Sequence, residues 1–142
     1  ACLVGSEMCI RDSTKPVRDA YDLTQMQFNI LMFLHNNPQF DTAGDLVKTR
    51  HLTKSHVSTA LKELEARGWI EAHYAAGNRK SQHLRITKSA EAVIAAGKAA
   101  QEVFGKQLFK GFTPGETEQY KVLFDKMCEN AAEGLAETER MN

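Results

Sequence analysis

The sequence predicts a mostly helical α+β chain in which a helix–turn–helix is followed by a β-hairpin and flanked by further helices. Three observations carry this. Apolar residues recur at three- and four-residue steps in separate stretches, the mark of helices with one buried face. Only around positions 69–86 does the pattern shorten to strand-like runs, joined by a Gly-Asn turn. Cap signals punctuate the helical stretches where each should begin or end.

The elements follow in order. Residues 1–13 lack a starting Met, a signal-peptide pattern and helical periodicity, so they read as a non-native or disordered leader outside the fold. Structure is predicted to begin near Leu23. Thr24 and Gln27 form a capping box, Phe28, Leu31, Met32 and Leu34 an apolar face, and Asn36-Asn37-Pro38 a stop. Thr42 caps a short helix through Leu46 and Val47 that closes around Arg50. Thr53 caps the next helix, where Val57, Ala60, Leu61 and Leu64 share one face and Gly68 supplies the stop. Glu63 and Arg67, four apart, are placed to pair on its exposed side. Strands are predicted over Trp69–Tyr74 and Gln82–Ile86, with Gly77 and Asn78 both suited to positive φ in the turn. After Thr87 a long helix runs toward Phe109, with Val93, Ala96, Ala100 and Val103 spaced as a coiled-coil seam. The small residues Ala96, Gly97 and Ala100 would admit another helix closely. Thr113-Pro114-Gly115-Glu116 opens a last helix striped with Tyr120, Phe124, Met127 and Ala131.

Composition bounds the partners. The 142 residues are 42% hydrophobic and 25% charged, as in ordinary globular domains, and suffice for one domain or one domain with an appendage. No apolar run approaches the length of a membrane-spanning helix, which argues against a membrane partner. Cys2, Cys9 and Cys128 are odd in number and lack metal-ligand spacing, which suits a reducing cytoplasm. Formal net charge is zero, yet between Asp45 and Lys88 nine basic residues face four acidic ones, a local excess of +5. Four of the five histidines (His51, His56, His73 and His83) share that stretch. A basic middle between acidic ends is an electrostatic footprint for phosphates.

The chemistry concentrates there. Burying Val57, Ala60, Leu61 and Leu64 turns outward Ser55, His56, Ser58, Thr59 and Lys62, with Thr53 and Lys54 at the helix start. Hydroxyls, an imidazole and cations on one helix face suit the major groove of double-stranded DNA. Arg79 and Lys80 at the hairpin tip suit the phosphate backbone or a narrow minor groove. His73 and His83 can be cross-strand neighbours, but no carboxylate or Cys lies near them at ligand spacing, so no metal or other cofactor is assigned. Cys128 on an apolar stripe reads as small core filler. Phe104, Phe109, Phe112 and Phe124 read as helix packing, with an effector pocket as the other use. No nucleophile elbow, phosphate-cradling glycine loop or HExxH motif supports catalysis.

Several motifs together resemble the MarR family: Leu23-Thr24-x-x-Gln27-Phe28-x-Ile30-Leu31, Leu52-Thr53-Lys54-Ser55-x-Val57-Ser58, Leu61-Lys62-x-Leu64-Glu65-x-Arg67-Gly68-Trp69-Ile70, Asn78-Arg79-Lys80, Ile86-Thr87 and Phe112-Thr113-Pro114-Gly115-Glu116. The resemblance covers Asp22 to about Ala131. It implies a winged helix-turn-helix over 22–88 with dimerisation helices over 89–135, packed with the N-terminal segment. It also implies a homodimer on a pseudo-palindromic operator and, in many members, a small-molecule effector. The dimer interface is expected at Val93, Ala96, Ala100, Val103, Phe124 and Met127. Three departures stand out. Asn78-Arg79-Lys80 replaces the family's Asp-x-Arg, Thr59 stands where Arg is frequent, and the family's first helix is missing or replaced by the leader. The expectation is a ligand-responsive repressor that is not an enzyme. The competing reading is a helix-turn-helix scaffold for protein contacts, or an anti-repressor, without DNA binding.

Overall fold

The computed structural model describes residues 2–50 and 52–141. His51, one of the four histidines in the basic stretch, lies outside the described residues. The elements are α1 (Cys2–Ala20), α2 (Gln25–Asn36), α3 (Ala43–Arg50), α4 (Lys54–Ala66), β1 (Ile70–Tyr74), β2 (Gln82–Ile86), a 3-10 turn (Lys88–Ala90), α5 (Glu91–Leu108) and α6 (Pro114–Met141). They divide into two compact units, residues 1–104 and 105–142.

The first unit holds the core. Both halves of the Thr24–Gln27 capping box form and start α2 where predicted. Beyond its predicted face, Ile30 and Phe33 are also buried, so α2 is apolar nearly all round and lies at the centre. Leu46 of α3, Val57, Leu61 and Leu64 of α4, Ile70 of β1 and Leu84 of β2 pack into the same cluster. Thr42 caps α3 reciprocally with Asp45: the Asp45 amide donates to Thr42 Oγ1, and the Thr42 amide and hydroxyl donate to Asp45 Oδ2. Gly68, at φ 71°, takes the left-handed conformation that ends α4 and turns the chain into β1.

β1 and β2 pair antiparallel, from Ile70 opposite Ile86 to Tyr74 opposite Gln82. A third stub, unpredicted, joins them: Thr42 bridges to His83, and the Leu84 amide donates to the Asp41 carbonyl at 2.7 Å. In the turn only Gly77 has positive φ. Asn78 keeps negative φ and instead accepts the Lys80 amide on its side chain at 2.9 Å, an Asx turn.

Two expectations are corrected here. Helix α1 occupies the stretch read as an unstructured leader and runs on to Ala20 despite an internal Pro16. Thr14 on it is 1% exposed, and Val17 packs against the core. Glu63 and Arg67 do not pair. Glu63 accepts from Gln27 Nε2 at 2.6 Å, tying α4 to α2, while Arg67 donates to the carbonyls of Tyr21 and Asp22 and lies 3.9 Å over the Trp69 ring.

In the second unit, Thr113 and Glu116 close the predicted capping box of α6. These bonds, from the Thr113 backbone and side chain, hold the Glu116 carboxyl below its ordinary 4.5. Phe109 meets Phe112 and Tyr120 edge-on, and Tyr120 stacks on Phe124, so these aromatics pack among themselves. Cys128 is exposed rather than core filler.

Candidate nucleic-acid interface

Helix α4 is held by its buried stripe, with Val57, Ala60, Leu61 and Leu64 all under 10% exposed. The opposite face follows from helix geometry. Lys54, Ser55, His56, Ser58, Thr59 and Lys62 are all exposed on it, together with Thr53 just before the helix. Thr53 occupies the cap position (φ −74°, ψ 142°), but its hydroxyl closes no capping bond. Among the described residues, the start of α4 therefore presents a hydroxyl and amides with no internal partner, the groups that receive a phosphate at a helix N-terminus. Thr59 donates its hydroxyl to the Ser55 carbonyl at 3.0 Å, which leaves its oxygen as acceptor and its methyl for an external contact.

The hairpin supplies the second part. Arg79 and Lys80 are exposed at its tip, with the backbone fixed by Gly77 and the Asx turn of Asn78. Among the described residues, ion pairs join Arg85 to Glu71 and Lys15 to Asp19, and His83 Nδ1 hydrogen-bonds Asp41. None engages Lys48, Lys54, Lys62, Arg79 or Lys80, so these cations have no internal carboxylate to leave before meeting a phosphate. Lys48 was counted in the basic excess but not placed at the site. The structure sets it on α3, lining one groove with Lys54 and Lys62.

The expected dimer residues divide. Val93 is 2% exposed inside the chain's own core, which removes it from any partner surface. Gly97 also serves that core: a Cβ there would fall 2.6 Å from Met32 Sδ and 3.1 Å from the Phe28 ring, so the helix its small side chain admits is α2. Ala96 and Ala100 are half-buried, whereas Val103 (69%), Phe124 and Met127 (56%) are exposed.

His73 and His83 are directly opposed across the two strands, with ring centres 5.8 Å apart. The carboxylate absent from their sequence neighbourhood is Asp41, whose oxygens both lie 3.0 Å from His83 Nδ1. No three metal-ligating side chains converge among the described residues. No described helix is long and apolar enough to cross a membrane.

Comparison with known proteins agrees with this geometry. Residues 21–81 match the model of the MarR family. The crystal structure of MarR superposes with a TM-score of 0.78 at 24% identity, over 96% of this chain and 92% of that one. A proposed MarR-family transcriptional regulator from Listeria monocytogenes, complexed with 26mer DNA, gives 0.83 at 23% identity, over 98% and 91%. The S. aureus MepR–DNA complex gives 0.72 at 22%, over 91% of each chain. The winged-helix class and the family resemblance read from the motifs are both confirmed.

Proposed function

We propose that this chain, whose residues 21–81 match the MarR family, is a sequence-specific DNA-binding transcriptional regulator. In this reading it is a cytoplasmic repressor that acts by binding and not by catalysis, as a homodimer on a pseudo-palindromic operator. One observation carries it: an exposed recognition face on α4 beside exposed wing cations, none of them engaged by an internal carboxylate among the described residues. Helix α4 enters the major groove, where Ser55, His56, Ser58 and Thr59 meet base edges. Lys54, Lys62 and the open start of α4 at Thr53 hold phosphates, while Arg79 and Lys80 reach the flanking backbone or minor groove. Two solved neighbours of this fold were crystallised with DNA, which supports the assignment. Release by a small-molecule effector belongs to the same reading and rests on the family match.

The test is selection from a random DNA pool at two salt concentrations, with the mass of the protein determined in parallel. Enrichment of an inverted repeat by a species of twice the chain mass is expected. Arg79→Ala and Lys80→Ala should each weaken binding to all sequences and lower the salt slope of the dimer by about two, one phosphate contact per protomer. A well-folded protein that binds no DNA would sink this reading in favour of a protein-interaction scaffold.

A further inference from the structure

We infer that Glu63 and Arg67 are positioning residues for DNA recognition: they hold the C-terminal end of α4 on the α1–α2 corner and so set the aim of its reading face. The inference rests on the reading of α4 as the recognition helix. Ser55, Thr59, Glu63 and Arg67 follow one another at four-residue steps. A single row of side chains therefore runs along α4, from the proposed base contacts to its C-cap.

The two ends of that row are held differently. At the start, Thr53 closes no side-chain cap. At the far end, Glu63 Oε2 accepts from Gln27 Nε2 at 2.6 Å, and Arg67 donates to the carbonyls of Tyr21 and Asp22. Among the described residues, every side-chain hydrogen bond from 54–67 to another part of the chain ends within residues 21–27. The apolar stripe of Val57, Ala60, Leu61 and Leu64 supplies the rest of the attachment. Apolar burial is non-directional, whereas hydrogen bonds demand a narrow range of distance and angle. The stripe holds α4 against the core, and the clasp fixes its rotation and axial position.

The corner is a firm anchor. Gln27 is 6% exposed and uses both ends of its amide, Oε1 for the Thr24 backbone N–H at 2.9 Å and Nε2 for Glu63. Asp22, whose carbonyl Arg67 grips, is the one non-glycine at positive φ among the described residues. The Arg67 guanidinium also lies 3.9 Å over Trp69, whose ring meets Tyr21 edge-on at 6.3 Å. Base-edge hydrogen bonds are as demanding in geometry as the clasp itself, while lysines on flexible stems follow a phosphate through small displacements. Loosening the clasp therefore costs sequence-specific binding and spares the non-specific kind.

The test selects an operator with the native protein, then measures Kd on that operator and on an unrelated duplex over a range of salt. Glu63→Ala and Glu63→Gln remove the same charge and differ in whether an acceptor for Gln27 remains. Glu63→Ala should lower the ratio of operator to unrelated affinity at least about fivefold, the lower end of what one lost base contact costs. Glu63→Gln should recover most of that loss. Arg67→Lys keeps the charge without the fork and should lower the ratio likewise, with the native salt slope on the unrelated duplex. Thermal melts check that each variant is folded at the temperature of measurement. A folded Glu63→Ala protein with the native ratio would overturn the inference. So would an Arg67→Ala protein whose salt slope falls by about two on both duplexes, because Arg67 would then be a phosphate contact. A native protein that selects no sequence fails one step earlier and takes the recognition-helix reading with it.

Discussion

Arg67 follows its distant partners rather than its sequence neighbour. Glu63 stands one helical turn away, an exposed pair worth only a few tenths of a kcal/mol. The carbonyls of Tyr21 and Asp22 and the face of Trp69 offer charge-assisted hydrogen bonds and a cation–π contact instead. Asp22 is held there at φ 51°, a left-handed conformation that its exposed carbonyl contact helps fix. Arg67→Lys keeps the charge but loses the fork and the planar stacking, so urea denaturation should show a loss of roughly 1–2 kcal/mol. Equal stability of the two proteins would mean that the contacts are idle. These partners lie 45 and 46 residues away, beyond what local spacing can reveal. The same limit hid Asp41 from His83. Thr59, by contrast, was placed on the exposed face of α4 by period alone, and only the use of its hydroxyl was illegible. Because that hydroxyl donates to the Ser55 carbonyl, the base contact proposed for Thr59 falls to its methyl, so Thr59→Val should retain the selected operator, losing less than the about 1–3 kcal/mol of a broken base contact. A changed operator in the random-pool selection would show that the oxygen reads a base.

At the scale of elements, local chemistry was the most legible layer. Caps at Thr24, Thr42 and Thr113 each close with the partner three residues on, because a capping box needs nothing outside its own turn. Helix α1 was missed for the opposite reason. Its sequence carries Pro16 and no clear stripe, and the buried Thr14 and half-buried Val17 are fixed by tertiary packing. Gly97 shows the same override. Its small size was visible in the sequence, but the helix that uses it is α2 of the same chain. Gly97→Ala gains up to about 1 kcal/mol of helix propensity. It also forces a Cβ against Met32 and the Phe28 ring in a packed core, which costs about 1–3 kcal/mol. A net loss is expected in denaturant unfolding, recovered in part by a compensating Met32→Ala; a more stable Gly97→Ala would show that the contact relaxes freely. At the start of α6, the depressed Glu116 carboxyl makes capping sensitive to acid. Its contribution is present above the unfolded value and is lost as pH falls through the lower folded value. Helicity of α6 should therefore weaken only below about pH 4.5. Glu116→Gln, which preserves the box, should lose that acid dependence in circular dichroism, and an unchanged profile would assign it to another carboxylate.

For the whole molecule, a zero net charge conceals the arrangement that matters, since the basic excess of +5 sits in the 45–88 stretch and an equal acidic excess in the rest. Charge position along the chain was enough to place the exposed cations of α4 and the wing, because both are continuous segments. A self-association surface is harder to read, because a seam and a core face have the same spacing. Val93 was assigned to the seam and belongs to the core, whereas Val103 and Met127 stay exposed in the isolated chain. If the regulator is a dimer, these two apolar side chains are covered by the partner, and a charge at either cannot be buried without a large desolvation cost. Val103→Glu and Met127→Glu should each halve the mass seen by light scattering while leaving the thermal melt of the winged-helix core cooperative. Because a single recognition unit then covers one half-site, the dependence of log affinity on log salt should fall to about half its native slope. Enrichment should also shift from an inverted repeat to a single half-site. A dimer that persists in both variants would place the interface away from Val103 and Met127, and would leave their exposure to some other partner.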